Sequence, residues 1–117
     1  MITNVGLDHI ADQMSAKAAA AMSHMAIGVG TTAAAAGDTA LENESARVAF
    51  DSKTRTGARV DYIATFGAGV GTGAITEAGV LNAGASGDLL TRHVFPVKNK
   101  GANDTLIIEV QNTYQRV

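Results

Sequence analysis

The chain has no cysteine, no tryptophan and a single proline, Pro96, and aromatic residues make up only 4% of its length. Without cysteine there is neither a disulfide framework nor a thiolate zinc site, which fits a reducing cytoplasm. With so few aromatics, much of the 46% hydrophobic content falls to alanine and aliphatic residues. Alanine buries little area, and at roughly 25 cal/mol per Å² such a core stabilises only modestly. Neighbouring subunits are therefore expected to contribute stability.

Charge of one sign is also lacking. Nine basic against eleven acidic residues give a formal charge of −2. The densest basic groups are Lys98 and Lys100 with Arg92, then Arg55 with Arg59. A nucleic-acid binder presents a basic stripe with interleaved aromatics, so no nucleic-acid partner is expected. The longest apolar tract, Ala18–Met22 with Met25–Val29 beyond it, is interrupted by Ser23 and His24 and is too short for a bilayer. No membrane partner is expected, and the N-terminus lacks the basic and apolar segments of a secretory signal.

What the chain does have is period-two alternation broken by glycine-rich segments. Turn signals recur roughly every 8–12 residues, the pattern of an antiparallel sandwich. The 117 residues suit one domain, since domains commonly run to about 100–150 residues. The expected fold class is mainly β: an antiparallel β-sandwich (22–117) with one N-terminal α-helix (4–21). Leu7, Ile10, Ala11, Met14 and Ala18 recur at the spacing of one apolar helical stripe, with Thr3 or Asn4 as the cap.

Met22–Val29 reads as a first strand, with Met25 and Ile27 on one face and Ala26 and Val29 on the other. An exposed loop follows over residues 30–40, then a short turn at Leu41–Glu44. Further strands are expected at Ala46–Ser52, Ala58–Phe66, Ala74–Asn82, Leu89–Val97 and Thr105–Tyr114. The polar run Asp51–Gly57 supplies a hairpin, Gly67–Gly73 a flexible hairpin loop and Lys98–Asp104 a turn. Shared parity sends three sets to the core: Ala46, Val48 and Phe50; Val60, Tyr62, Ala64 and Phe66; and Leu106, Ile108 and Val110. Pro96 suits an edge strand.

Reactive groups form no recognisable constellation. The glycines of Gly67–Gly73 have neither G-x-G-x-x-G opening a helix nor G-K-[ST], so no nucleotide or other cofactor is expected. His9, His24 and His93 lie in different elements without ligand spacing, so no metal is expected. No serine sits in a G-x-S-x-G elbow, and catalytic residues are assigned to none of the positions. Glu44, Arg47 and Glu77 lie beside strand starts among apolar neighbours. They read as a structural ion-pair cluster in which the Arg47 fork serves both carboxylates. Paired carboxylates also perform acid–base chemistry in glycosidases, but Arg47 would keep both ionised.

Several segments, taken in order, carry a family resemblance: Ile2-Thr3-Asn4-Val5-Gly6 before the helix, Ala26-Ile27-Gly28-Val29-Gly30-Thr31-Thr32, and Asp38-Thr39-Ala40-Leu41-Glu42-Asn43-Glu44 with Arg47. Ala64-Thr65-Phe66-Gly67, Ile75-Thr76-Glu77-Ala78-Gly79-Val80-Leu81-Asn82, Leu89-Leu90-Thr91-Arg92 with Phe95-Pro96, and Asp104-Thr105-Leu106-Ile107-Ile108 follow. Residues 2–117 resemble the tail-collar fibre N-terminal domain of tailed-bacteriophage virion proteins and small capsid-decoration β-sandwiches. The resemblance implies a non-enzymatic structural protein of the virion, assembled in the host cytoplasm. Fibre proteins of that family continue into a shaft, so a free-standing copy is expected as a fibre base, a baseplate component or a decoration protein. Its expected partners are copies of itself, a trimer being favoured, and other virion structural proteins of capsid or tail. The alternative is a host-surface or carbohydrate-binding module, which would need exposed aromatics.

Overall fold

A computed structural model describes residues 1–15 and 20–116. Alternating residues do build two antiparallel sheets packed face to face, and the chain is an antiparallel β-sandwich with one N-terminal helix. After helix α1 (Asn4–Met14) come β1 (His24–Gly28), β2 (Glu44–Ala49), β3 (Ser52–Thr56) and β4 (Arg59–Phe66). β5 (Gly73–Leu81), β6 (Leu89–Lys100) and β7 (Leu106–Thr113) complete the chain. The first sheet has the order β2-β1-β5-β6 and the second β3-β4-β7.

The core lies between the sheets. Met25, Ile27, Ala78 and Val80 of the first sheet pack into one cluster with Tyr62, Ala64, Phe66 and Val110 of the second. All three expected parity sets face this core. Phe50 and Tyr62 stack at a ring separation of 4.9 Å. Val29 packs with this cluster too, on the side of Met25 and Ile27 rather than that of Ala26, as its odd-numbered position requires.

Three other expectations are corrected. Ser52–Thr56 is a strand, not a hairpin loop: every residue of β3 is exposed, so it has no buried face to write alternation into the sequence. β6 runs past Pro96 to Lys100. It is the edge strand of its sheet, and Pro96 falls where the β5–β6 register slips between Ile75 and Glu77, a place that tolerates a missing N–H. Gly67–Gly73 is not a hairpin either, because it carries the chain from β4 in one sheet to β5 in the other.

Helix α1 is capped as expected. The Thr3 hydroxyl accepts the Gly6 amide at 2.9 Å and donates to the Leu89 carbonyl oxygen. Residues Ile2 and Thr3 run beside β6, with the Thr3 amide donating to the Leu90 carbonyl at 3.0 Å. The helix ends at Met14, and 16–19 of the expected 4–21 lie outside the described residues. Its buried face is Gly6 and His9, not the predicted stripe. A Cβ on Gly6 would stand 2.5 Å from the Leu90 carbonyl oxygen, so only glycine lets the helix approach β6 this closely. Of the stripe, Ile10 reaches the core, whereas Leu7 and Met14 are 55% and 84% exposed.

Candidate functional site

The densest polar arrangement lies on the other face of the first sheet, away from the core. Register places Arg47, Ala26, Gly79 and Arg92 in one row across β2, β1, β5 and β6. The neighbouring row holds Gly28 and Glu77, with Glu44 beside Gly28. Small residues in the middle of the first row leave room for Leu41, which is buried there with Ala26, Leu81 and Leu89. The 29–43 connection is thus held on the sheet at Gly30 and Leu41, while most of residues 31–40 are exposed, as expected of that loop.

Glu77 fastens that connection. Its side chain is 0% exposed. One carboxylate oxygen, Oε2, accepts the Gly30 amide at 2.7 Å and the Asn43 amide at 2.9 Å. The other, Oε1, accepts the Glu42 amide and Arg92 Nε, both at 2.9 Å. Arg92 continues the chain of contacts, donating from Nη1 to Asp38 Oδ2 at 3.1 Å. Asp38 also takes the Ala35 amide at 2.9 Å, and the Thr76 hydroxyl donates to the Gly30 carbonyl at 2.7 Å. A Cβ on Gly30 would lie 2.5 Å from Glu77 Oε2, so a side chain there would drive the carboxylate from its donors.

Burial pushes the Glu77 carboxyl up. The Arg92 donor and the amides of Asn43, Glu42 and Gly30 outweigh it and hold Glu77 below the usual carboxylate range. For Arg92, burial works against the charge, and the bonds to Glu77 and Asp38 overcome it, so the guanidinium holds its proton more firmly than usual. Glu42 is lowered by bonds from Thr32, side chain and backbone, and from the Thr31 amide. Burial, with the N-terminal ammonium nearby, lowers His93.

The expected cluster of Glu44, Arg47 and Glu77 is therefore two separate pairs. Arg47 grips Glu44 through Nη2 at 2.7 Å and Nε at 3.1 Å, and its Nη1 donates to the Ala83 and Ser86 carbonyls at 2.9 and 2.8 Å. Glu77 belongs to Arg92. Strands are about 4.8 Å apart; β1 stands between β2 and β5, while Arg92 is on the adjacent strand and one step along the ladder. The signal for Arg92 was a lone charge inside the apolar run Leu89–Val97. Such a residue is seldom buried without a partner.

The chemistry this arrangement can perform is limited by its bonding. Glu77 is ionised, fully enclosed and saturated by donors, so it has no lone pair free for proton abstraction from a substrate. The three histidines do not meet: His9 Nδ1 lies 3.6 Å from Asp88, His24 bonds Ser23 at 2.7 Å, and His93 sits beside the N-terminus. Among the described residues no three His, Asp or Glu side chains are grouped to hold a metal. Among them, too, no helix is long and apolar enough to cross a membrane. Tyr62 and Phe66 are in the core, and Tyr114 is 37% exposed. Compared with protein-family models and with curated protein sequences, the chain matches none.

Proposed function

We propose that the chain is a structural protein of a tailed-bacteriophage virion, a non-enzymatic, self-associating β-sandwich subunit on the particle exterior. It would serve as a fibre or baseplate component or as a capsid decoration protein, most simply as a trimer bound to other virion proteins. The observation that carries this reading is the convergence of the resemblance segments. Gly30, Asp38, Glu42, Asn43, Glu77 and Arg92 come from four separated pieces of that resemblance, and they meet in the single clamp on the outer sheet face. The chemistry-bearing positions of the motif bind the chain's own backbone. That is what a frame requires and what an active site avoids.

Unprotected edges support the same reading. β2, β3 and β7 each end a sheet, β6 is covered by residues 1–3 only along Leu90–Arg92, and Val97 on β6 and Ile107 on β7 are 51% and 65% exposed. Exposed edges invite pairing with another chain, which assembly on a particle would provide. A stable interface of about 1,600 Å² in total is within reach of surfaces of this kind.

The test is antibody labelling of intact, purified particles of a phage whose genome encodes the chain. Gold at a fixed site on the particle exterior is the expected result. A chain abundant in infected-cell lysate but missing from purified particles contradicts the proposal.

A further inference from the structure

β7 is the least guarded edge of the two sheets. β6 is covered by residues 1–3 along Leu90–Arg92 and carries Pro96 beyond them. The pairing of β2 slips at its Glu44 end, and the five residues of β3 include Lys53 and Arg55. Short length, bulges, proline and lysine all blunt an edge against further pairing. β7 has eight residues, none of them proline, glycine or lysine, and an unbroken register against β4. The phase of that ladder fixes which backbone groups are free. The Tyr114 amide donates to the Ala58 carbonyl at 2.9 Å, and bonded pairs alternate from there, so Asn112, Val110, Ile108 and Leu106 bond to β4. The amides and carbonyls of Ile107, Glu109, Gln111 and Thr113 therefore point away from β4, where no other strand meets them among the described residues. Their side chains are all exposed.

From this edge we infer that β7 pairs antiparallel with β7 of a second copy of this chain, about a twofold axis through Val110. The result is one continuous sheet, β3-β4-β7-β7-β4-β3. That axis sets Ile107 opposite Thr113 and Glu109 opposite Gln111, each twice. All are hydrogen-bonded pairs, so every outward amide and carbonyl finds a partner. The side chains agree with this register. Gln111 Nε2 donates to Glu109 Oε1 of its own strand at 2.8 Å, and its second N–H is left for Glu109 of the other copy. An axis through Glu109 would instead set two carboxylates face to face, which destabilises a strand pair. An axis through Gln111 would put Ile107 opposite Gln115, past the end of β7. A self-complementary edge is what a twofold contact between identical subunits requires, which makes a second copy the occupant. The inference rests on the self-association proposed above and names one edge that performs it. A twofold contact joins copies in pairs, and in a trimer it is the edge left to join a second trimer.

Mass and cross-linking test it. Light scattering on size exclusion should give the parent a mass that is an even multiple of the 11.9 kDa chain. Gln111→Glu sets a second carboxylate opposite Glu109 at both ends of the pair. It should halve that mass, raising the dissociation constant roughly tenfold or more. Adding Glu109→Gln exchanges the two partners and should restore the parent's mass. Val110→Cys tests the axis, in a chain with no other cysteine. Across a non-hydrogen-bonded pair the Cα atoms stand ~4.5 Å apart, within reach of a disulfide, so mild oxidation should link two chains. Glu109→Cys is more exposed but faces Gln111 of the other copy, not its own counterpart, and should stay unlinked. Far-ultraviolet dichroism and melting confirm that each variant is folded. Glu109 and Gln111 are exposed, so the mass test stands even if Val110→Cys fails to fold. A Gln111→Glu variant with the parent's mass, or a parent of only three copies, overturns this edge and leaves self-association standing. Linkage through Glu109→Cys in place of Val110→Cys overturns it too. A parent that is monomeric at millimolar concentration overturns both the edge and the self-association.

Discussion

Replacing Glu77 by alanine is expected to cost ~3–5 kcal/mol, the usual loss when one member of a buried ion pair is removed, and to lower the melting temperature by roughly 12–20 °C. The reason is what the substitution leaves behind. Arg92 becomes a buried cation facing only Asp38, and the amides of Gly30, Glu42 and Asn43 lose their acceptor. Arg92→Ala should be comparable, since it leaves the enclosed carboxylate without its cation. Arg92→Lys should fall between, because an ammonium cannot span two carboxylates as a planar fork does. The double variant Glu77→Leu with Arg92→Leu separates this network from an ordinary buried pair. For an ordinary pair, apolar replacement is close to neutral. Here it should remain strongly destabilised, because the three amides still go unmet. A double variant melting with the parent would remove Glu77 from the role assigned to it.

Acid should unfold the protein in two stages, and the sign follows from the direction of each shift. Glu77 is held below the usual carboxylate range, so the unfolded chain takes up a proton at a higher pH than the folded one. Its contribution is complete above about pH 4.3, the ordinary glutamate value, and is lost as pH falls through the folded value. Glu42 acts in the same direction. His93 is lowered as well, by burial first and the N-terminal ammonium second, so the unfolded state binds the extra proton. Stability should therefore begin to decline below about pH 6.5, the ordinary histidine value. Melting curves from pH 8 to pH 3 check both stages. Glu77→Gln should flatten the lower stage whatever its own starting stability, and His93→Gln the upper one. A Glu77→Gln profile with the parent's slope below pH 4.3 would place the acid-labile group elsewhere.

The sandwich was legible because β4 and β7 each have one buried and one solvated face: Tyr62, Ala64 and Phe66 alternate with half-buried residues, and Val110 with exposed Glu109 and Gln111. β3 was not legible, since an edge strand solvated on both faces has only polar residues to show. The helix was found but its orientation was not. Periodicity finds the apolar stripe of Leu7, Ala11 and Met14, whereas close approach to β6 selects Gly6 and His9, and nothing in the spacing of apolar residues announces that choice. The site was half legible. Glu44 and Arg47 are three apart on one strand and pair as expected. Glu77 was marked as a charge among apolar neighbours, but its partner depends on strand order, and β1 intervenes between β5 and Arg47. Strand order is a property of the whole topology, which local sequence does not contain.

Backbone hydrogen exchange at Gly30, Glu42 and Asn43 examines the clamp amide by amide. These three lie in a connection outside regular strands, yet each amide is bonded to the enclosed Glu77 carboxylate. If the carboxylate binds this connection to the sheet, they exchange as slowly as the amides of β1 and β5, opening only with the whole fold. Exchange at the rate of the freely exposed Ala85 and Ser86 would mean that the connection lifts away on its own, and that Glu77 does not hold the frame together.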